Sequence, residues 1–324
     1  MNRRSLFTGG ALAATAALAV RQNWLSRVPR RRPPISHVAI LRCERYDQTP
    51  HTVEDGLRLL PLPVRGKRVL LKPNLVEYSP AAPINTHPML IASVVDALYR
   101  RGAASVVVAD GPGHVRDTDL LLDESGLRAQ LDAVGRADFV DLNFDPVVKV
   151  RPTTGLTSLS ELWLPKTVLS ADVVISMPKI KTHHWAGVTL SLKNLFGVVP
   201  GSVYGWPKNV LHWEGIDNSI VELAATIPIH FVIADGIEAM EGNGPLHGPM
   251  KRLGCLVFAD DPVAADAACC RLMGINPMSV RHLRLASPLG NIDSSHIEQY
   301  GDDVDRIWKQ FDLPPGYTYL RDSL

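Results

Sequence analysis

Six short runs rich in β-branched residues constrain the fold more than any other feature of the chain. They are Arg68–Lys72, Ser105–Asp110, Asp138–Leu142, Asp172–Ser176, His230–Asp235 and Gly254–Asp260. Their near-continuous apolar character fits strands covered on both faces, as in a parallel sheet. Helical patterns separate several of them. Thr86-His87-Pro88 opens one, with apolar positions at Leu90, Val94, Val95 and Leu98 and a stop at Gly102. Asp261-Pro262 opens another that runs to Met273 before Gly274. This alternation predicts an α/β fold, a mostly parallel sheet with helices on both faces. Residues 35–324 are expected to form one such domain, with a small irregular lobe inserted at about 187–226, where Tyr204, Trp206 and Trp213 interrupt the pattern. Residues 188–196 alternate like a strand and then space Leu192, Leu195 and Phe196 like a helix, so both readings stay open there.

Many of these runs end in polar residues: Lys72 with Asn74, Asp110, Lys179 after Ser176, Asp235 and Asp260. In open α/β sheets ligands bind beyond the carboxyl ends of the strands, so these positions are site candidates, although Asp110 or Asp235 would serve equally well as a loop or helix cap. Glycine-rich loops follow closely, around Gly111 and from Gly242 to Gly244, where backbone N–H groups can approach an anion. Neither loop matches the phosphate-binding or dinucleotide fingerprints, which disfavours nucleoside triphosphates and dinucleotides as ligands. The absence of a G-x-S-x-G elbow likewise disfavours a serine hydrolase.

The stretch ISMPKIKTHHWAGVTLSLKN, residues 175–194, concentrates the most chemistry. Lys179, Lys181 and Lys193 are suited to neutralise a carboxylate or phosphate, or one of them to act as a base if burial lowers its pKa. His183 and His184 are suited to proton transfer or metal ligation. Adjacent side chains on a regular element diverge, so one histidine, His183, is expected at the site. A metal held by Asp110 and Asp235, or by His183, Asp235, His247 and His114, is an alternative without a spaced signature behind it.

The first residues carry an address. Arg3-Arg4 precedes Phe7, an uncharged alanine-rich stretch from Gly9 to Val20, and Ala17-Leu18-Ala19, the order of a twin-arginine export signal ending near residue 19. The apolar stretch is shorter than the roughly 20 residues that span a bilayer. Residues 20–34 read as a basic, proline-containing linker with five arginines. The body from Ile35 onward has 27 basic against 33 acidic residues, a balance that argues against nucleic acid as a partner. The export machinery is the expected partner, with the periplasm or cell envelope as destination; any redox partner is left open. Cys43, Cys255, Cys269 and Cys270 show no C-x-x-C spacing, so no iron–sulfur cluster is expected, while a Cys43–Cys255 bridge stays open in an oxidising compartment.

Several motifs together resemble one family. They are Lys72-Pro73-Asn74, Asp110-Gly111, Pro178-Lys179 through Thr182-His183, Thr189 with Leu192-Lys193-Asn194 and Gly197, Asp235-Gly236 with Gly242 to Pro245, and Asp260 and Pro262 with Asp266. The chain from about Lys67 to about Gly301 is similar to the bacterial and archaeal domain-of-unknown-function family numbered 362. The resemblance implies Asn194 as a further site candidate and supports the lysines and aspartates above, without assigning roles. Members often carry a ferredoxin-like module, and its cysteine run is absent from this sequence. The leading expectation is an exported enzyme for a small anionic substrate or cofactor, with His183 or Lys179 as proton carrier, Lys72, Asn74, Lys181, Lys193 and Asn194 as ligand contacts, and Asp110 and Asp235 as orienting groups. A non-catalytic ligand or cofactor carrier and a signal-anchored interaction module are the competing expectations.

Overall fold

The structure, a computed structural model, describes residues 35–113 and 117–322; the export signal, the basic linker and His114 lie outside them. An eleven-stranded sheet organises the chain. Its strands are β1 (Ser36–Arg42), β2 (Arg68–Pro73), β3 (Ser105–Asp110), β4 (Ala137–Asp141), β5 (Val173–Met177), β6 (Lys179–His183), β7 (Gly187–Thr189), β8 (Phe231–Met240), β9 (Met250–Lys251), β10 (Cys255–Ala259) and β11 (Ile297–Gly301). The main order is β11-β1-β10-β8-β5-β2-β3-β4, with β6 and β9 paired to β8 and β7 to β6. Along that order the pairings are parallel except where β10 joins β1 and β8 antiparallel.

Both faces of the sheet are covered, which explains the unbroken apolar runs. The strand period of two sends Val69 and Leu71 to one face and Leu70 to the other. The first face packs under α1 (Thr49–Leu59) and α2 (Pro88–Arg100), through Val53, Leu57, Leu90 and Val94. The second packs under α5 (Pro262–Leu272), which buries Val263, Ala267 and Cys270. Asp261 caps α5 by accepting from Val263 N at 2.8 Å. At α2 the cap is His87, whose ring accepts from Met89 N; Thr86 instead donates its hydroxyl to the Met177 carbonyl at 2.6 Å.

Several expectations change. The run 188–196 is strand and helix in succession, β7 followed by α3 (Ser191–Asn194), so both periods in the sequence were genuine. Short helices fill the following segment, among them α4 (Asn209–Trp213). Because β10 runs against its neighbours, its carboxyl end lies at the opposite edge of the sheet from those of β2, β3, β5 and β8. Asp260 is therefore away from the expected site, paired with the half-exposed His37 at 2.6 Å. All four cysteines are buried free thiols, with no Cys43–Cys255 bridge. Burial pushes the Cys255 thiol up to about 12, an inert core group.

Candidate functional site

The carboxyl ends of β2, β3 and β5 meet in the middle of the sheet, and side chains there form a floor of saturated contacts. Lys72 and Asp110 are fully buried and 2.6 Å apart. The Lys72 ammonium also donates to Pro73 O at 2.7 Å and Asn194 Oδ1 at 3.2 Å, so its three hydrogens are used. Asp110 accepts from Leu75 N and Gly111 N, both at 2.7 Å. Burial pulls the lysine down and pushes the aspartate up, while their mutual contact opposes both shifts. Asn194 completes the floor, donating to Lys72 O at 3.0 Å and Ser176 Oγ at 3.2 Å.

Helix α3, which carries Lys193 and Asn194, is held by a buried carboxyl. Asp266 of α5 accepts from Ser191 N at 2.7 Å and Leu192 N at 2.9 Å. Burial raises its pKa to about 8. Gly197 follows the helix and passes over the ion pair; a Cβ there would collide with Asp110 Oδ1 and lie 2.7 Å from Lys72 Nζ.

Above this floor lies a cavity of about 260 Å³, lined in part by Asn74, Asp110, Lys181, His183, Lys193 and Lys208. It is slightly smaller than the ~300–1,000 Å³ common for small-molecule sites, so it has room for a small molecule only. Pro178 interrupts the chain between β5 and β6, and the alternation of β6 then sends Ile180 into the core and Lys181 and His183 to the cavity. Lys181 donates to Ile84 O at 2.7 Å and, at 3.4 Å, to Pro245 O. It has no carboxylate partner among the described residues, and burial plus neighbouring lysines hold its pKa well below the usual lysine value. Lys193 and Lys208 are each drawn down to about 7, mainly by burial.

The tautomer of His183 follows from its neighbours. Its Nδ1 faces Trp185 N at 3.0 Å and Ala186 N at 3.2 Å, groups that only donate. Nδ1 is therefore unprotonated, Nε2 carries the hydrogen, and the ring is neutral. Burial and the adjacent Lys193 hold its pKa well below the ordinary histidine value, in agreement with that assignment. Both His183 and His184 line the cavity, because β6 ends at His183 and the alternation that separates neighbours stops there. Two lining residues also bear buried polar atoms without hydrogen-bond partners among the described residues, Asn74 Oδ1 and Thr189 Oγ1.

The remaining expected residues are elsewhere or differently used. Lys179 and Asp235 form a second buried ion pair at 2.8 Å, outside the cavity wall. Tyr46 OH receives from Lys179 Nζ at 2.9 Å and donates to Asp235 Oδ1 at 3.2 Å, and Asp235 also accepts from His87 N at 3.0 Å. This network ties the segment after β2 to the sheet, and Lys179, expected as a proton carrier, does not line the cavity. The N–H groups of Gly111, Gly242 and Gly244 go to Asp110 and Gly197 O, to Asp312 O and to Gly242 O. What Gly111 and Gly244 supply is room, since a Cβ at Gly111 would meet Asn143 Oδ1 at 2.9 Å and one at Gly244 would strike Thr182 O. Asp110 and Asp235 each spend their charge on a lysine, and among the described residues no group of three or more His, Cys, Asp or Glu is placed to hold a metal.

Sequence reasoning missed Lys208 and His212. Lys208 is buried, has the left-handed φ of 70°, and donates to Asn143 Oδ1. It lies in an irregular segment with no strand end to mark it; the Gly-Trp-Pro stretch before it was the one available signal.

The family model described as Domain of unknown function (DUF362) covers residues 69–271. The chain belongs to the DUF362 family. A thylakoid-associated protein of Synechocystis sp. is 30% identical to this DUF362 chain over 276 residues, 79% of this chain and 80% of the relative. Among solved structures, the lactate racemase apoprotein of Thermoanaerobacterium thermosaccharolyticum aligns with a TM-score of 0.47 at 14% identity, over 76% of this chain and 58% of that one. A Thermotoga maritima protein aligns with a TM-score of 0.41 at 12% identity, over 71% and 59%. The DUF362 chain thus spans less than two thirds of each of these two structures.

Proposed function

We propose that this DUF362 protein is an exported enzyme that binds a small anion in the cavity at the carboxyl ends of β2, β3 and β5, with the neutral His183 donating a hydrogen bond and Lys193 exchanging a proton. One observation carries the reading. Lys181, Lys193 and Lys208 line the cavity, while its sole carboxylate among the described residues, Asp110, is already neutralised by Lys72. Burial holds the pKa of all three below the ordinary lysine value, and an ammonium in a partly apolar cavity is stabilised by a negative partner. The buried Thr189 hydroxyl, without a hydrogen-bond partner among the described residues, belongs to the same lining and can donate to an anion.

Calorimetric titration with phosphate and with small carboxylates tests the reading. A hydrogen bond to a charged group contributes about 1.5–3 kcal/mol, so Lys193→Met should weaken the best anion by roughly tenfold to a hundredfold. Unchanged affinity in Lys193→Met and Lys208→Met would reject it. Export by the twin-arginine route is supported by the order of residues 3–19 and by the name of the thylakoid-associated relative. Among the described residues no helix is long and apolar enough to cross a membrane. N-terminal mass measurement on protein from the cell envelope should find a start near Val20; an intact Met1 would count against cleavage.

A further inference from the structure

Lys193 differs from the other lysines at the cavity in having no hydrogen-bond acceptor among the described residues. Lys208 is held by Asn143, and Lys181 by two backbone carbonyls. Lys193 Nζ meets no hydrogen-bond acceptor and no carboxylate among the described residues; it stands 3.9 Å from the centroid of the Phe196 ring. As an ammonium it would have only that ring face to offset its charge. As an amine it presents a lone pair to a cavity whose other lysines are engaged. With its pKa near 7, about half of Lys193 is free amine at neutral pH, against about 0.04% for an ordinary lysine.

We propose that Lys193 is a nucleophile that forms a Schiff base with a small 2-oxo acid, the acid's carboxylate being held by Lys208 and its carbonyl oxygen facing the Nε2–H of His183. This deepens the anion reading above and rests on it. The pairing of functions follows from the lining: cations for the carboxylate, a neutral imidazole to stabilise the developing alkoxide, and a free amine to attack. The Nζ lone pair forms the C–N bond while the carbonyl π pair moves to oxygen. Both hydrogens of the amine then leave with that oxygen as water, giving the imine with no net change of protons or electrons. The volume of about 260 Å³ suits an acid of a few carbons and not a long chain.

Reductive trapping tests this: the purified protein is incubated with pyruvate and sodium cyanoborohydride at pH 7, and the product is read by intact mass and peptide mapping. A parallel calorimetric titration uses acetate, an anion that cannot form an imine. A single adduct on Lys193 is expected, forming about tenfold or more faster than on exposed lysines such as Lys67, given the difference in free amine. It should be lost in Lys193→Arg, and mapping of the unmodified chain locates it even if that variant folds poorly. Adducts confined to other lysines, or none while acetate binds, would overturn the nucleophile and leave the anion site standing. Failure of acetate, pyruvate and phosphate alike to bind would overturn both.

Discussion

Replacing Asp110 by Asn isolates the contribution of the buried floor. The amide keeps the shape but accepts through one oxygen only: aimed at Lys72 and Gly111 N it turns its NH2 on Leu75 N, so the change removes one negative charge 2.6 Å from the Lys72 ammonium and strands one backbone donor. Lys72 has no accessible surface, and its remaining acceptors, Pro73 O and Asn194 Oδ1, are uncharged. Stranding a buried charge in this way costs about 3–5 kcal/mol. Deprotonating the lysine instead sets a similar ceiling, about 4.6 kcal/mol to bring its pKa from 10.4 to 7. At about 2–4 °C per kcal/mol the melting temperature should fall by roughly 6–20 °C. Urea unfolding at pH 7 measures the loss directly. The sign with pH is fixed: Lys72 in the folded variant holds its proton less tightly than in the unfolded chain, so the unfolded state binds more protons and stability rises from pH 7 toward 10. Adding Lys72→Met removes the stranded charge and should restore at least half of the loss. A cost under about 1 kcal/mol, or a double variant no more stable than Asp110→Asn, would refute the argument.

Other outcomes follow from the same contacts. Gly197→Ala should abolish anion binding and lower the urea midpoint, because its Cβ would occupy space held by Asp110 and Lys72; a variant with native affinity would show that the floor can shift. Lys179→Met should destabilise by about 3–5 kcal/mol in urea by stranding Asp235, yet leave cavity affinity within about twofold once folded. Anion binding should take up protons: Lys193 and Lys208 sit near 7 when free and are raised by a bound negative charge, so affinity falls as pH rises above 7, and the heat of binding changes with buffer ionisation enthalpy. Lys193→Met should leave the urea midpoint unchanged or raise it, since that amine satisfies no partner among the described residues.

The strands were legible because burial on both faces writes an apolar run that few other structures require. Ser105–Asp110 matches in full, and Arg68–Lys72 differs by one residue. Direction is not written in such a run, which is why Asp260 was expected at the ligand edge although β10 is reversed. The convergence of Lys72, Asp110, Lys181, His183, Lys193 and Asn194 was readable from strand ends and the 175–194 stretch. How their charges are divided was not. Lys179 and Lys181 are two residues apart on one strand, yet the first is locked to Asp235 and the second lines the cavity, a split decided by the partner strand β8 and the segment after β2. The glycines were read for their N–H groups, while Gly111 and Gly244 are required for lack of a side chain, which only packing reveals. Lys208 needed the left-handed backbone of an irregular segment, a conformation for which lysine carries no propensity signal.

The central claim is that cationic groups from separate segments meet in one cavity and hold an anion there. Crystals of the protein soaked in bromide and measured at its absorption edge test it most directly. The account predicts an anomalous peak within contact distance of Lys193 Nζ, weakened in Lys193→Met crystals. Bromide bound only at the outer surface, with none in the cavity, would contradict it.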